Sequence, residues 1–136
     1  MSNIKKVRAR RTIDGDTFNI EGTRERVRLI GLDAPEIGEP GADEATEFLR
    51  KKTEGNDVWL EFEGAERDRF GRFRAYVWLR EPKDVKDEQE MLSYQVNAML
   101  LKEGLASVFI VGEVRNEKFF TKICKNKNVT YGEDYT

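Results

Sequence analysis

The chain has 136 residues, 38% hydrophobic and 37% charged, with a formal net charge of −2, a length that suits one domain able to bury a core without disulfides or metals. It contains no histidine and one cysteine, Cys124, which excludes Ser-His-Asp triads, His-based zinc sites, Cys-His pairs and internal disulfides. Any catalysis must run on carboxylates, lysines, arginines and tyrosines, and no apolar run reaches membrane-spanning length, so no membrane association is expected.

Residues 5–13 place Val7, Ala9 and Arg11 on one face by alternation, which predicts a half-buried strand ending at the turn "DGDT". "FNIEG" repeats the alternation with Phe18 and Ile20, and "RERVRLIGL" follows as a third strand with Val27 and Leu29. After the Gly/Pro-rich "DAPEIGEPG", the run "ADEATEFLRKKTEG" sets Ala45, Phe48 and Leu49 at helical spacing, with acids early, bases late and Gly55 as the stop. "DVWLEFEG" predicts a strand with Val58, Leu60 and Phe62 on one face, and "RFRAYVWL" is its antiparallel neighbour through "AERDRFG". Residues 80–89 lack apolar periodicity and predict an exposed charged connection. A second helix is predicted from Glu90 to a stop at Gly104, a short one around "NEKFFTKIC", and residues 125–136 form a polar tail without clear structure. No linker or repeat divides residues 1–136. The pattern predicts a single α+β domain, mainly β: a five-stranded, partly open Greek-key barrel of the OB type with about three packed helices.

The charge is unevenly spread, which matters more than its sum for a polyanionic partner. Residues 1–12 carry Lys5, Lys6, Arg8, Arg10 and Arg11 and no acid, residues 33–47 carry six acids and no base, and Arg67, Arg69, Arg72, Arg74 and Arg80 follow.

Three stretches carry candidate chemistry: "DGDT", "RLIGLDAPE" and "DRFGR". On a straight strand Arg28 and Asp33 would point to opposite faces, so a bend near Gly31 is needed to join them. Asp16 and Asp33 offer two carboxylates for a hard cation such as Ca²⁺, completed by a backbone carbonyl and water. A carboxylate free of the metal, Glu36, suits the orientation or deprotonation of an attacking water. Arg28 and Arg72 suit bidentate contact with phosphate and its developing charge. Together these groups fit phosphodiester hydrolysis. Taken singly, each stretch is more often structural: an Asx-type turn, a loop before a helix, a charged hairpin with Phe70 over the sheet.

Taken in order, "IDGDT", "RVRLIGLDAPE", "DRFGRFRAYVW" and "QVNAMLLKEGLASV" resemble the staphylococcal nuclease-like family, the thermonucleases, over about residues 7–108. The resemblance implies an OB barrel with helices and a calcium-dependent endonuclease that cuts DNA and RNA to leave 3′-phosphate and 5′-hydroxyl ends. It implies Asp16 and Asp33 as calcium ligands, Glu36 as general base, and Arg28 and Arg72 as the catalytic phosphate-binding arginines. Ala34 stands where many relatives have threonine, leaving its backbone carbonyl as a ligand. Relatives often carry tyrosines after "GLA" that pack on the bound nucleotide; here stacking falls to Phe70 or Phe109, with Arg69 beside Phe70 as a substrate contact. "EIGEPGADEA" is shorter and more acidic than the loop of the best-known members, which weakens polyanion binding. The expected partner is DNA or RNA, single strands preferred, and the default state a monomer. Relatives are often secreted or envelope-associated; "MSNIKKVRAR" lacks the apolar stretch of an export signal, so the compartment is unassigned, with cytoplasm expected unless a signal precedes the chain. The alternative is an inactive nuclease-like OB module that binds nucleic acid or protein. Such modules typically lose at least one of the five charged positions, and all five are present here.

Overall fold

The N-terminal alternation builds β1 (Ile4–Asp14), with Val7 and Ala9 buried, in a computed structural model that describes residues 3–85, 87–126 and 128–132. Arg11, expected on the same face, is exposed. The cause is a register shift against β2 (Thr17–Ile20) between Ala9 and Thr12, and another between Thr12 and Asp14. Such irregularities add local twist and let one strand serve two neighbours: Ile4 to Arg8 pair with β5 (Asp57–Glu61), while Ala9 to Asp14 pair with β2.

β3 (Arg26–Leu29) pairs antiparallel with β2 and parallel with β6 (Phe73–Trp78), which returns antiparallel to β5. The expected five-stranded OB barrel is therefore present, and its ladder closes fully in the order β1-β2-β3-β6-β5. The parallel β3–β6 register sets Arg28 opposite Arg74. Helix α1 (Ala42–Thr53) has Asp43 and Glu44 in its first turn and Arg50, Lys51 and Lys52 in its last, complementing the helix dipole. It buries Ala42, Ala45 and Leu49 and packs against β1.

Two expectations about the later chain need correction. The helix predicted from Glu90 to Gly104 is two helices, α2 (Glu88–Tyr94) and α3 (Val96–Lys102). Gln95 between them is extended and bridges Trp78, and Tyr94 O accepts from Leu79 N at 2.8 Å, so pairing with the barrel overrides helix continuation. The connection at 80–89 is correspondingly shorter: it holds a 3-10 turn at Pro82–Asp84, and Asp87 caps α2 by accepting from Glu90 N. With α4 (Glu117–Ile123), the described residues contain four short α-helices where about three were expected. The second correction is a small sheet that the sequence pattern misses. β4 (Leu32–Asp33) pairs antiparallel with β7 (Ser107–Ile110), and β7 pairs parallel with β8 (Val129–Tyr131). β8 lies in the tail expected to lack structure; residues 133–136 of that tail lie outside the described residues.

Buried Asn97 ties these layers together. Its amide accepts from Val77 N at 2.8 Å and donates to Ile30 O at 2.9 Å, so α3 clamps β6 to the bend that follows β3. Among the described residues no helix is long and apolar enough to cross a membrane.

Candidate active site

The "DGDT" turn works by close packing. A Cβ on Gly15 would sit 2.7 Å from the Cβ of both Ala34 and Ala45, so only glycine lets the turn press onto the "DAPE" loop and α1. Asp14 Oδ1 accepts from Asp16 N at 3.1 Å, an Asx contact that shapes the turn. Asp16 is left buried, its carboxylate accepting from Thr17 Oγ1 at 3.0 Å and from Ala34 N at 2.8 Å.

The bend required near Gly31 is present. Gly31 has φ +84°, and a Cβ there would lie 2.7 Å from the Phe120 ring of α4. The turn brings Asp33 back to Arg28, whose Nη1 donates to Leu29 O and Leu32 O, both at 2.8 Å. Arg28 Nη2 then lies 3.2 Å from Asp33 Oδ1 and 3.5 Å from Asp16 Oδ2. One guanidinium, 15% exposed, therefore meets both predicted metal carboxylates.

The electrostatics show more acid than this single arginine balances. Burial, then the hydrogen bond and charge of Asp16, push Asp14 up to about 6. Burial also raises Asp33; Arg28 opposes this, while Asp16, Glu36 and Glu39 add to it. Crowded carboxylate oxygens of this kind, partly withdrawn from water, fit a hard divalent cation. Among the described residues no group of three acidic side chains forms a ready-made metal cage. Asp16, Asp33 and the Ala34 carbonyl would hold Ca²⁺ only with solvent completing the shell.

The second arginine sits on the β5–β6 hairpin. Asp68 organises "DRFGR": Oδ1 accepts from Phe70 N at 2.9 Å and Arg72 N at 3.0 Å, and Oδ2 accepts from Arg72 Nε at 2.8 Å. Phe70 is 67% exposed, with the Arg69 guanidinium 4.6 Å and that of Arg72 5.3 Å from its ring centre. Arg28, Arg69, Phe70, Arg72 and Phe109 line one cleft of about 520 Å³.

Glu36 is not part of that cleft. It is exposed and lines a neighbouring groove of about 630 Å³ with Asp33, Ala34 and Glu39, its backbone N donating to Glu39 Oε1 at 2.8 Å. Phe109 borders both spaces. The structure thus gathers Asp16, Arg28, Asp33 and Ala34 at one point and joins Arg28 to Arg69, Phe70 and Arg72 across the cleft, with Glu36 on the adjoining side. Sequence reasoning passed over Asp14 as a cluster member, Asp68 as the anchor of Arg72, and Arg74 as a cleft residue. For Asp68 the signal was available, since an Asp two residues before an aromatic-Gly pair is a common Asx-turn pattern.

The model of the staphylococcal nuclease homologue family matches residues 26–130. The chain is 40% identical over 105 residues to a protein named thermonuclease from Staphylococcus intermedius, covering 71% of this chain and 55% of that one. It is 35% identical over 113 residues to the thermonuclease of Staphylococcus hyicus, covering 77% and 60%. It is likewise 35% identical over 112 residues to endonuclease YncB of Bacillus subtilis, covering 76% and 47%. The chain therefore spans about half the length of these relatives. Arg28, Asp33, Glu36 and Arg72 fall within the family match, and Asp16 precedes it.

Proposed function

The chain belongs to the staphylococcal nuclease homologue family, and we propose that it is a calcium-dependent endonuclease that hydrolyses DNA and RNA to 3′-phosphate and 5′-hydroxyl ends. The observation that carries this reading is Arg28: its guanidinium touches both Asp16 and Asp33 at the edge of the cleft it shares with Arg72. Relatives named thermonuclease and endonuclease support it.

In this reading a single strand lies along the cleft as the substrate of a monomer. Arg28 and Arg72 grip the non-bridging oxygens of one phosphate, and their paired donors strengthen as charge develops on it. Arg28 is held ready by two backbone carbonyls, and Arg72 by Asp68, so little side-chain freedom is lost on binding. Phe70, with Arg69 against its ring, offers a stacking face for a base. Asp16, Asp33 and the Ala34 carbonyl would hold a calcium ion, which would supply Lewis-acid polarisation of the phosphate. Glu36, exposed in the adjoining groove, takes the proton of a water entering from that side. As the oxygen of that water bonds to phosphorus, the bond to the 5′-oxygen breaks; the departing oxygen takes a proton from solvent to become the 5′-hydroxyl, and the phosphate stays on the 3′ side.

The test is incubation with denatured DNA and with RNA at mildly alkaline pH, with calcium or with chelator, followed by end-group analysis. Cleavage only with calcium, leaving 3′-phosphate ends, is the expected result. Retained binding without cleavage would replace the enzyme with a binding module.

A further inference from the structure

A strand longer than the cleft must leave it, and the two ends of β3 receive it differently. Beyond its C-terminal end the chain bends into an acidic loop: residues 33–47 hold six acids and no base, and Asp33, Glu36, Glu39 and Glu44 line the adjoining groove. A polyanion is repelled there. Towards its N-terminal end β3 carries Arg26, exposed and two residues from Arg28, so both stand on the outer face of the barrel while Val27 and Leu29 point into the core.

The register extends this face across two more strands. Asn19 of β2 pairs with Arg26, as Thr17 does with Arg28, and paired residues point to the same side of a sheet. Opposite Asn19, β1 has two residues where β2 has one: the pairs Ala9–Ile20 and Thr12–Phe18 enclose Arg10 and Arg11 against Asn19 alone. This bulge turns Arg11 out of the barrel and sets two consecutive arginines, both exposed, side by side. Glu21 and Glu25, the acids between β2 and β3, are taken by Arg8 and Arg67. Among the described residues no ion pair involves Arg10, Arg11 or Arg26. Like charges gathered without counter-charge repel one another, and a phosphate backbone relieves that repulsion as it binds. The row itself contains no aromatic side chain, so it offers contacts to phosphates and no stacking to bases.

We propose that the outer face of β1, β2 and β3, through Arg10, Arg11 and Arg26, is an interaction surface for the phosphate backbone of a single nucleic-acid strand that continues from the phosphate held at Arg28. The inference rests on the nuclease reading above and extends its site outside the cleft. The strand is drawn onto this face and away from the acidic loop, so affinity grows with strand length and falls with salt.

The experiment is fluorescence anisotropy of the whole protein with a labelled single strand of about 12 nucleotides, within the site sizes of OB-type barrels, titrated in chelator over a range of salt, alongside cleavage of that strand and of a dinucleotide with calcium. Combining Arg10→Gln, Arg11→Gln and Arg26→Gln should weaken binding of the long strand about tenfold and lower the slope of log affinity against log salt by about 2. With calcium the same variant should raise KM for the long strand, leaving its kcat and the cleavage of the dinucleotide unchanged. Combining Lys102→Gln, Lys118→Gln and Lys125→Gln removes the same charge from α3, α4 and the residues after it, and should leave binding nearly unchanged. Wild-type affinity or salt slope in the arginine variant, an equal loss in the lysine variant, or an equal loss on the dinucleotide would overturn the proposal. Cleavage whose KM ignores the three arginines would refute this inference alone; binding that depends on them in a protein that never cleaves would uphold it and refute the nuclease reading.

Discussion

Arg28 and Arg72 are proposed for the same task, yet the molecule supports them differently. Arg28 is 15% exposed, rises from a barrel strand and is fixed by two carbonyls and two carboxylates. Arg72 is 29% exposed, sits at the end of a hairpin loop and depends on one carboxylate, Asp68. At the barrel, structure and chemistry are fused; on the loop they are separable. The barrel arginine is therefore part of what holds the Gly31 bend closed, and the loop arginine is not.

Breaking the fused side should give the largest effect. Arg28→Ala removes the only cation paired with the buried Asp16 carboxylate among the described residues, and the donor to two carbonyls, so unfolding should become easier by about 3 kcal/mol, with cleavage lost. Chemical denaturation together with a rate assay checks both, and Arg28→Lys should recover stability better than rate, because lysine lacks the planar fork. Next comes Asn97, which touches no substrate. Asn97→Ala strands Val77 N and Ile30 O and should cost about 2 kcal/mol, and loosening of the Arg28–Asp33 bend should lower the rate as well.

On the separable side the effects should be smaller and confined to activity. Asp68→Asn keeps an acceptor for Phe70 N and Arg72 N but removes the charge facing Arg72 Nε. The expected result is a rate loss of about tenfold, equivalent to about 1.4 kcal/mol at the barrier, with stability changed by under about 1 kcal/mol. Phe70→Ala should leave stability unaltered and raise KM about tenfold with kcat retained, the signature of lost stacking. A stability loss at Phe70 as large as that at Asn97 would erase the distinction between the two regions.

The same division explains what was legible in the sequence. The barrel strands could be read because Phe18, Ile20, Val58, Leu60 and Phe62 alternate, and the Gly31 bend because Arg28 and Asp33 could not otherwise meet. β4 and β8 could not be read: two or three residues carry no period, and both exist only through β7, far away in the chain. Gln95 contains no local helix-breaking signal, since the break comes from its bridge to Trp78. The members of the acid cluster were legible except Asp14, whose burial depends on the packing of Gly15 against Ala34 and Ala45. Arg74 looked like one more surface arginine until the β3–β6 register set it beside Arg28.

The most direct test of the account is Arg72→Ala, measured for calcium-dependent cleavage rate and for unfolding midpoint in the same preparation. The account predicts a rate lower by orders of magnitude with the midpoint essentially unmoved. A near-wild-type rate would contradict it, because the arginine most free of structural duty would then have no chemical duty either.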